Sequence, residues 1–331
     1  MLTIPLAFFQ VMLELSVGSF LVLYLLDIRN DTSINFVRFQ GILYLLMFTL
    51  LAWFTMQGFA RSDQLQHDFL YNLDFGWLKY QGSALLWFML LQIPYNIFLY
   101  SQRQRPLRLF FGGAVSLLGL FSLFAVGMGF RSVAAANLGG TFTVLSFVSG
   151  ALALGGVSTA MLLGHWYLNT PTASGKPLEF ATALTIGGIV AQIAFGILAG
   201  PVTYHPLPKA IPAATVSHMS QSTALTHASS LAVHAVIQPK VIAANTTATP
   251  TAGQSVPKPS VPTGVSFNQL TLVLIEYIVG LGLPLVMSAI ALYLVKDRSF
   301  QSATGMLYIA VVFAFFGEIL ARNLFLQPLM G

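Results

Sequence analysis

The chain has no cysteine and few charges, with Asp, Glu, Lys and Arg together making up only 8% of its 331 residues. The first absence excludes disulfides, cysteine-ligated iron–sulfur clusters, cysteine zinc sites and thiol chemistry from this chain. The second excludes an ordinary water-soluble domain, which carries about 25% charged residues. Histidine is sparse too: of six, five lie in connectors and only His165 falls within a long apolar run. A haem held between two helix histidines therefore lacks its second ligand here. Basic residues outnumber acidic ones, 15 to 10. They stand singly or in short loops, so the clustered footprint of a nucleic-acid-binding face is missing.

What fills the chain is apolar. Hydrophobic residues make up 56% of the sequence, and the mean hydropathy is +0.77. At 1.5 Å of rise per residue, about twenty apolar residues cross a bilayer. The sequence predicts an all-α transmembrane bundle of eight spans near 4–26, 38–60, 82–100, 109–129, 141–167, 179–200, 268–295 and 303–327. Helices are required because backbone polar groups in hydrocarbon must pair within the segment. The opening residues lack the cationic region of a signal peptide, so the first run reads as a retained span.

Three regions follow: 1–200 with six spans, 201–266 as a long connector, and 267–331 with the last two spans. The connector is rich in Ala, Thr, Ser and Pro and reads as a flexible outer loop. Its four histidines, His205, His218, His227 and His234, lack metal-ligand spacing, and no metal site is expected. Orientation follows from Lys and Arg in the short loops. With the N-terminus outside, Arg29, Arg38, Arg103, Arg105, Arg108, Lys176, Lys296 and Arg298 lie inside, against Arg61, Lys79 and Arg131 outside. Eight spans then place both termini outside. Arg103, Arg105 and Arg108 form the densest basic cluster and are expected to fix orientation and meet anionic head groups.

Four ionisable residues interrupt the spans: Glu14, Glu276, Glu318 and Arg322. A charge at a span centre costs about 2.5–3.5 kcal/mol even on insertion scales, so each needs a reason. Counting helical rise from the nearest outer end puts all three acids about 12–16 Å below the outer surface. Arg322 follows Glu318 by one turn and shares its face. Gln10 bears the same relation to Glu14, and Gln192 falls in the same half of the membrane. The pattern predicts an outward-opening polar cavity between the first, sixth, seventh and eighth spans. It fits a structural ion pair with protonated acids beside it, and it fits a site for a quinol, a proton or an ion.

Histidine offers secondary candidates. His165, in Gly164-His165-Trp166-Tyr167, sits near the inner end of the fifth span, as part of an aromatic belt or in proton exchange. His67 and Asp68 lie in the second outer connector, either solvated or relaying protons toward the acid layer. Gly196 and Gly200 make a small-residue pair, and Pro284 is expected to bend or loosen the seventh span.

The first span, Pro5-Leu6-Ala7-Phe8-Phe9-Gln10 through Glu14-Leu15-Ser16-Val17-Gly18-Ser19-Phe20, resembles the opening of the membrane-anchor subunits of DMSO-reductase and polysulfide-reductase type enzymes, the NrfD-like group. The eighth, Gly317-Glu318-Ile319-Leu320-Ala321-Arg322-Asn323-Leu324-Phe325, is similar to their closing helix. The resemblance implies a haem-free subunit of the bacterial inner membrane that exchanges electrons with quinone or quinol. It also implies iron–sulfur or molybdopterin partner subunits, with Glu14, Glu318 and Arg322 at or near the quinone cavity. The histidine-containing loop of that group is matched only by His67, in a different setting, and the 201–266 connector has no counterpart there. Two other readings stay open: a proton- or cation-coupled secondary transporter, and a structural subunit of a membrane complex.

Overall fold

The computed structural model describes residues 3–60, 75–101, 104–130, 141–170, 172–199 and 267–327. These residues are helical and contain no strand. Eight helices are long and apolar enough to cross a membrane: Ile4–Arg29, Ile34–Gln57, Gly76–Tyr100, Arg105–Gly129, Thr141–Asn169, Lys176–Leu198, Thr271–Lys296 and Phe300–Leu326. They are called here the first to eighth spans. The chain is an integral membrane protein of the multi-pass helical class. Arg61, His67, Asp68, Arg103, Arg131, Gly200 and the 201–266 connector with its histidines lie outside the described residues.

The first span is the axle of the bundle. In its most apolar stretch 89% of positions are buried by protein, against 67% in the fifth span and no more than 44% in any other. Glycine makes this possible where the two central helices meet. A Cβ built on Gly18 would stand 1.7 Å from the Ala151 carbonyl oxygen, and one on Gly155 would stand 2.1 Å from the Gly18 carbonyl carbon. The first and fifth spans therefore touch backbone to backbone. Such close approach is how helices gain dispersion energy when lipid removes the hydrophobic drive between them.

Around this pair the third span packs on the fourth, the sixth on the fifth, and the eighth on the fifth and seventh. Two spans are interrupted by wider π-helical turns, Tyr44–Thr49 in the second and Glu276–Gly282 in the seventh. The second of these ends just before Pro284, which cannot donate to the preceding turn. Pro284 thus loosens the seventh span as expected, through a π turn. Asn30 and Arg298 take left-handed backbone angles, φ 56° and 58°, where the chain reverses after the first and seventh spans. Asn tolerates that conformation and Arg298 is held in it by a bond from its amide to the Val295 carbonyl.

A candidate proton site around Arg322

The polar residues that interrupt the first, sixth and eighth spans converge. Arg322 Nη2 stands 2.7 Å from Glu14 Oε1 and 2.5 Å from Glu318 Oε1. Gln192 Nε2 donates to the other oxygen of Glu318, Oε2, at 2.7 Å. Glu14 is fully buried, and Glu318 and Arg322 are each 4% exposed. The first, sixth and eighth spans thus supply one cluster, and the i to i+4 spacing of Glu318 and Arg322 places both on one face as expected.

Glu276 approaches from the π turn of the seventh span. It is partly buried and within electrostatic reach of Glu318 and Arg322. Its approach depends on a glycine contact one turn away, where a Cβ on Gly317 would lie 2.2 Å from the Gly280 Cα. That close crossing holds the seventh and eighth spans together beside the acids.

The fifth span belongs to the site, which the residue pattern did not foretell. A Cβ on Gly150 would stand 2.9 Å from Arg322 Nη2, 3.0 Å from Glu318 Oε1 and 3.3 Å from Glu14 Oε2. The missing side chain is the space the charges occupy. One turn earlier, the Phe147 ring centroid lies 4.0 Å from the Arg322 guanidinium carbon, a cation–π contact. Neither residue is polar, so neither stands out in the sequence.

Both ion contacts go to one nitrogen of Arg322, Nη2. Among the described residues Arg322 Nε has no hydrogen-bond partner, and Glu14 Oε1 and Glu318 Oε1 have only their contact with that nitrogen. The Gln10 amide, buried one turn from Glu14, has no partner among the described residues for its oxygen or its nitrogen. Orphaned groups this deep ordinarily mark a place for water, a proton or a ligand.

The opposite end of the first span carries a second buried ion pair. Asp27 Oδ1 meets Arg108 Nη2 at 2.8 Å, and the Tyr95 hydroxyl donates to Asp27 Oδ2 at 3.2 Å. Arg108 was expected among head groups; it is instead 5% exposed and inside the bundle. Its neighbour Arg105 turns back to the Ile28 carbonyl at 3.4 Å. Between the two ends runs a neutral network: Ser16 Oγ and Thr49 Oγ1 lie 2.8 Å apart, and Gln92 Nε2 donates to Thr49 at 3.0 Å. The Asn96 amide donates to the Gln92 carbonyl at 2.8 Å. Ser16 and Asp27 meet the second, third and fourth spans, whereas Glu14 meets the eighth and Gly150 of the fifth. The first span therefore separates two polar systems.

His165 lies apart from both, exposed near the other end of the fifth span, with its Nδ1 3.3 Å from the Tyr308 hydroxyl. Gly196 faces the Tyr277 hydroxyl, 2.6 Å from a built Cβ. No protein-family model, no curated protein and no solved structure matches the chain.

Proposed function

We propose that this protein is a haem-free membrane subunit that interacts with quinone or quinol and anchors a redox complex, and that the cluster around Arg322 handles the protons of that reaction. The observation that supports it is an imbalance of charge: Glu14, Glu318 and Glu276 gather about one guanidinium. An ionised group buried without a counter-charge costs several kcal/mol, so the cluster must close its charge with protons or a cation. A metal cation fits poorly, because Arg322 stands between the two acids where the ion would sit. Among the described residues no three His, Asp or Glu side chains group closely enough to hold one. Protons are the remaining currency.

The quinone part rests on the resemblance of the first and eighth spans. The two stretches that carry it are the ones whose charges meet at 2.7 Å. Oxidation of a quinol releases two protons and two electrons. A carboxylate beside the ring accepts a proton, and the unpartnered Gln10 amide suits a quinone oxygen. With no cysteine in the chain, the electrons leave to centres on a partner subunit.

A second reading, a proton-coupled transporter, draws on the π turn that carries Glu276. Such turns recur at functional sites, and interrupted helices line the binding sites of secondary transporters. Gentle purification from the native membrane separates the two. Stoichiometric iron–sulfur or molybdopterin subunits, with quinone extractable from the complex, support the anchor. A monodisperse single chain free of quinone refutes it and leaves the transporter.

A further inference from the structure

A groove of about 470 Å³ opens on the lipid-facing flank of the bundle between the second and third spans. Its wall is apolar and exposed: Phe39 is 54% exposed, Leu46 54% and Met47 59%. The last two belong to the π turn Tyr44–Thr49, whose Tyr44 and Thr49 point inward while Leu46 and Met47 point out. The wider turn thereby shapes the groove floor.

Arg38, Asn35 and Tyr100 form the mouth. Arg38 stands near the start of the second span and Tyr100 ends the third, so the mouth lies at a membrane surface. The guanidinium is fixed there. Its Nε donates to the Leu99 carbonyl at 3.1 Å, Nη2 to the Tyr100 carbonyl at 3.2 Å, and Nη1 reaches Asn35 Oδ1 at 3.5 Å. All three acceptors are neutral, and no described carboxylate pairs with it. A guanidinium has five N–H groups, so donors remain free as well as the charge.

We propose that this groove binds one anionic phospholipid, with its phosphate on Arg38 and one acyl chain along Phe39, Leu46 and Met47. A positioned, uncompensated cation above an apolar channel matches an anion above a hydrocarbon tail. A zwitterionic lipid brings its own cation to the same place and loses part of the attraction. The loop-charge count puts this end of the spans on the inner side, where membranes carry their anionic lipid.

The test uses the full chain, delipidated in detergent and titrated with phosphatidylglycerol or phosphatidylcholine, with bound lipid counted by native mass spectrometry. The wild type is expected to hold one phosphatidylglycerol with about fivefold preference, the size expected of one basic residue at a charged surface. Arg38→Gln should abolish the preference. Because Arg38 also caps the third span, Arg38→Lys keeps the charge and should restore most of it. Met47→Trp, a change on the lipid-facing wall, should lower retention of both lipids by filling the channel. Equal retention of the two lipids by the wild type overturns the proposal, as does wild-type retention in both R38Q and M47W. So does displacement of the lipid by an equal concentration of inorganic phosphate, which would show that the acyl chain contributes nothing.

Discussion

Replacing Arg322 by methionine and replacing Glu14 by glutamine remove opposite ends of the same 2.7 Å ion pair, yet they should differ widely in cost. Were the pair isolated, loss of either partner would strand one buried charge, at about 3–5 kcal/mol. Here the acids are in excess. E14Q leaves Arg322 still paired with Glu318 and relieves crowding between carboxylates, so its expected cost is about 1 kcal/mol, that of one ordinary polar contact. R322M leaves Glu14, Glu318 and Glu276 with no cation, and the expected loss is about 3–5 kcal/mol. The triple variant E14Q/E318Q/R322M leaves only Glu276, which is partly buried, and should recover most of that loss. Reversible unfolding in mixed micelles titrated with dodecyl sulfate reads all three on one scale. Equal losses for E14Q and R322M, or a triple variant no more stable than R322M, would show that excess acid does not govern this site.

Other expectations follow from the packing. Gly18→Ala drives a Cβ into the Ala151 backbone and should prevent the first and fifth spans from closing, seen as loss of the monodisperse protein on size exclusion. Gly187→Ala meets nothing within 4 Å and should be neutral or stabilising by about 0.5–1 kcal/mol in the same micelle titration. Arg108→Met strands Asp27 and should cost about 3–5 kcal/mol, whereas Tyr95→Phe removes one donor to it and should cost about 1.5–3 kcal/mol. Ser16→Ala breaks the 2.8 Å contact with Thr49 and, as for interhelical hydrogen bonds in membranes generally, should cost about 0.6 kcal/mol.

Depth was legible in the sequence and rotation was not. Eight long apolar runs fix the number of helices, and a fixed rise per residue carries Glu14, Glu276 and Glu318 to one layer with Gln192 in the same half of the membrane; the structure joins Glu14 to Glu318 through Arg322 and Gln192 to Glu318 directly. Which way each side chain points is another matter, because a helix apolar on all sides offers no stripe from which to read its facing. Thus Gly150 and Phe147 entered the site unannounced. Asp27 and Arg108 looked like ordinary head-group charges because they stand at span ends, in runs that also hold Arg29, Asp31 and Arg105. Only the crossing of the first and fourth spans shows that this one couple turns inward. Pro284 marked a weak point in the seventh span, but nothing of the kind marks the π turn at Tyr44–Thr49, which contains neither proline nor glycine.

The two ion pairs on the first span close at different moments in the life of the chain. Asp27 finds Arg108 once four helices exist, whereas Glu14 waits for Arg322, made nearly a whole chain later. At about 5–20 residues per second, that wait lasts on the order of tens of seconds. During it the first helix must sit in the membrane with its carboxyl neutral or shielded by the insertion machinery. Truncated products lacking the eighth helix leave Glu14 without its only ion-pair partner among the described residues.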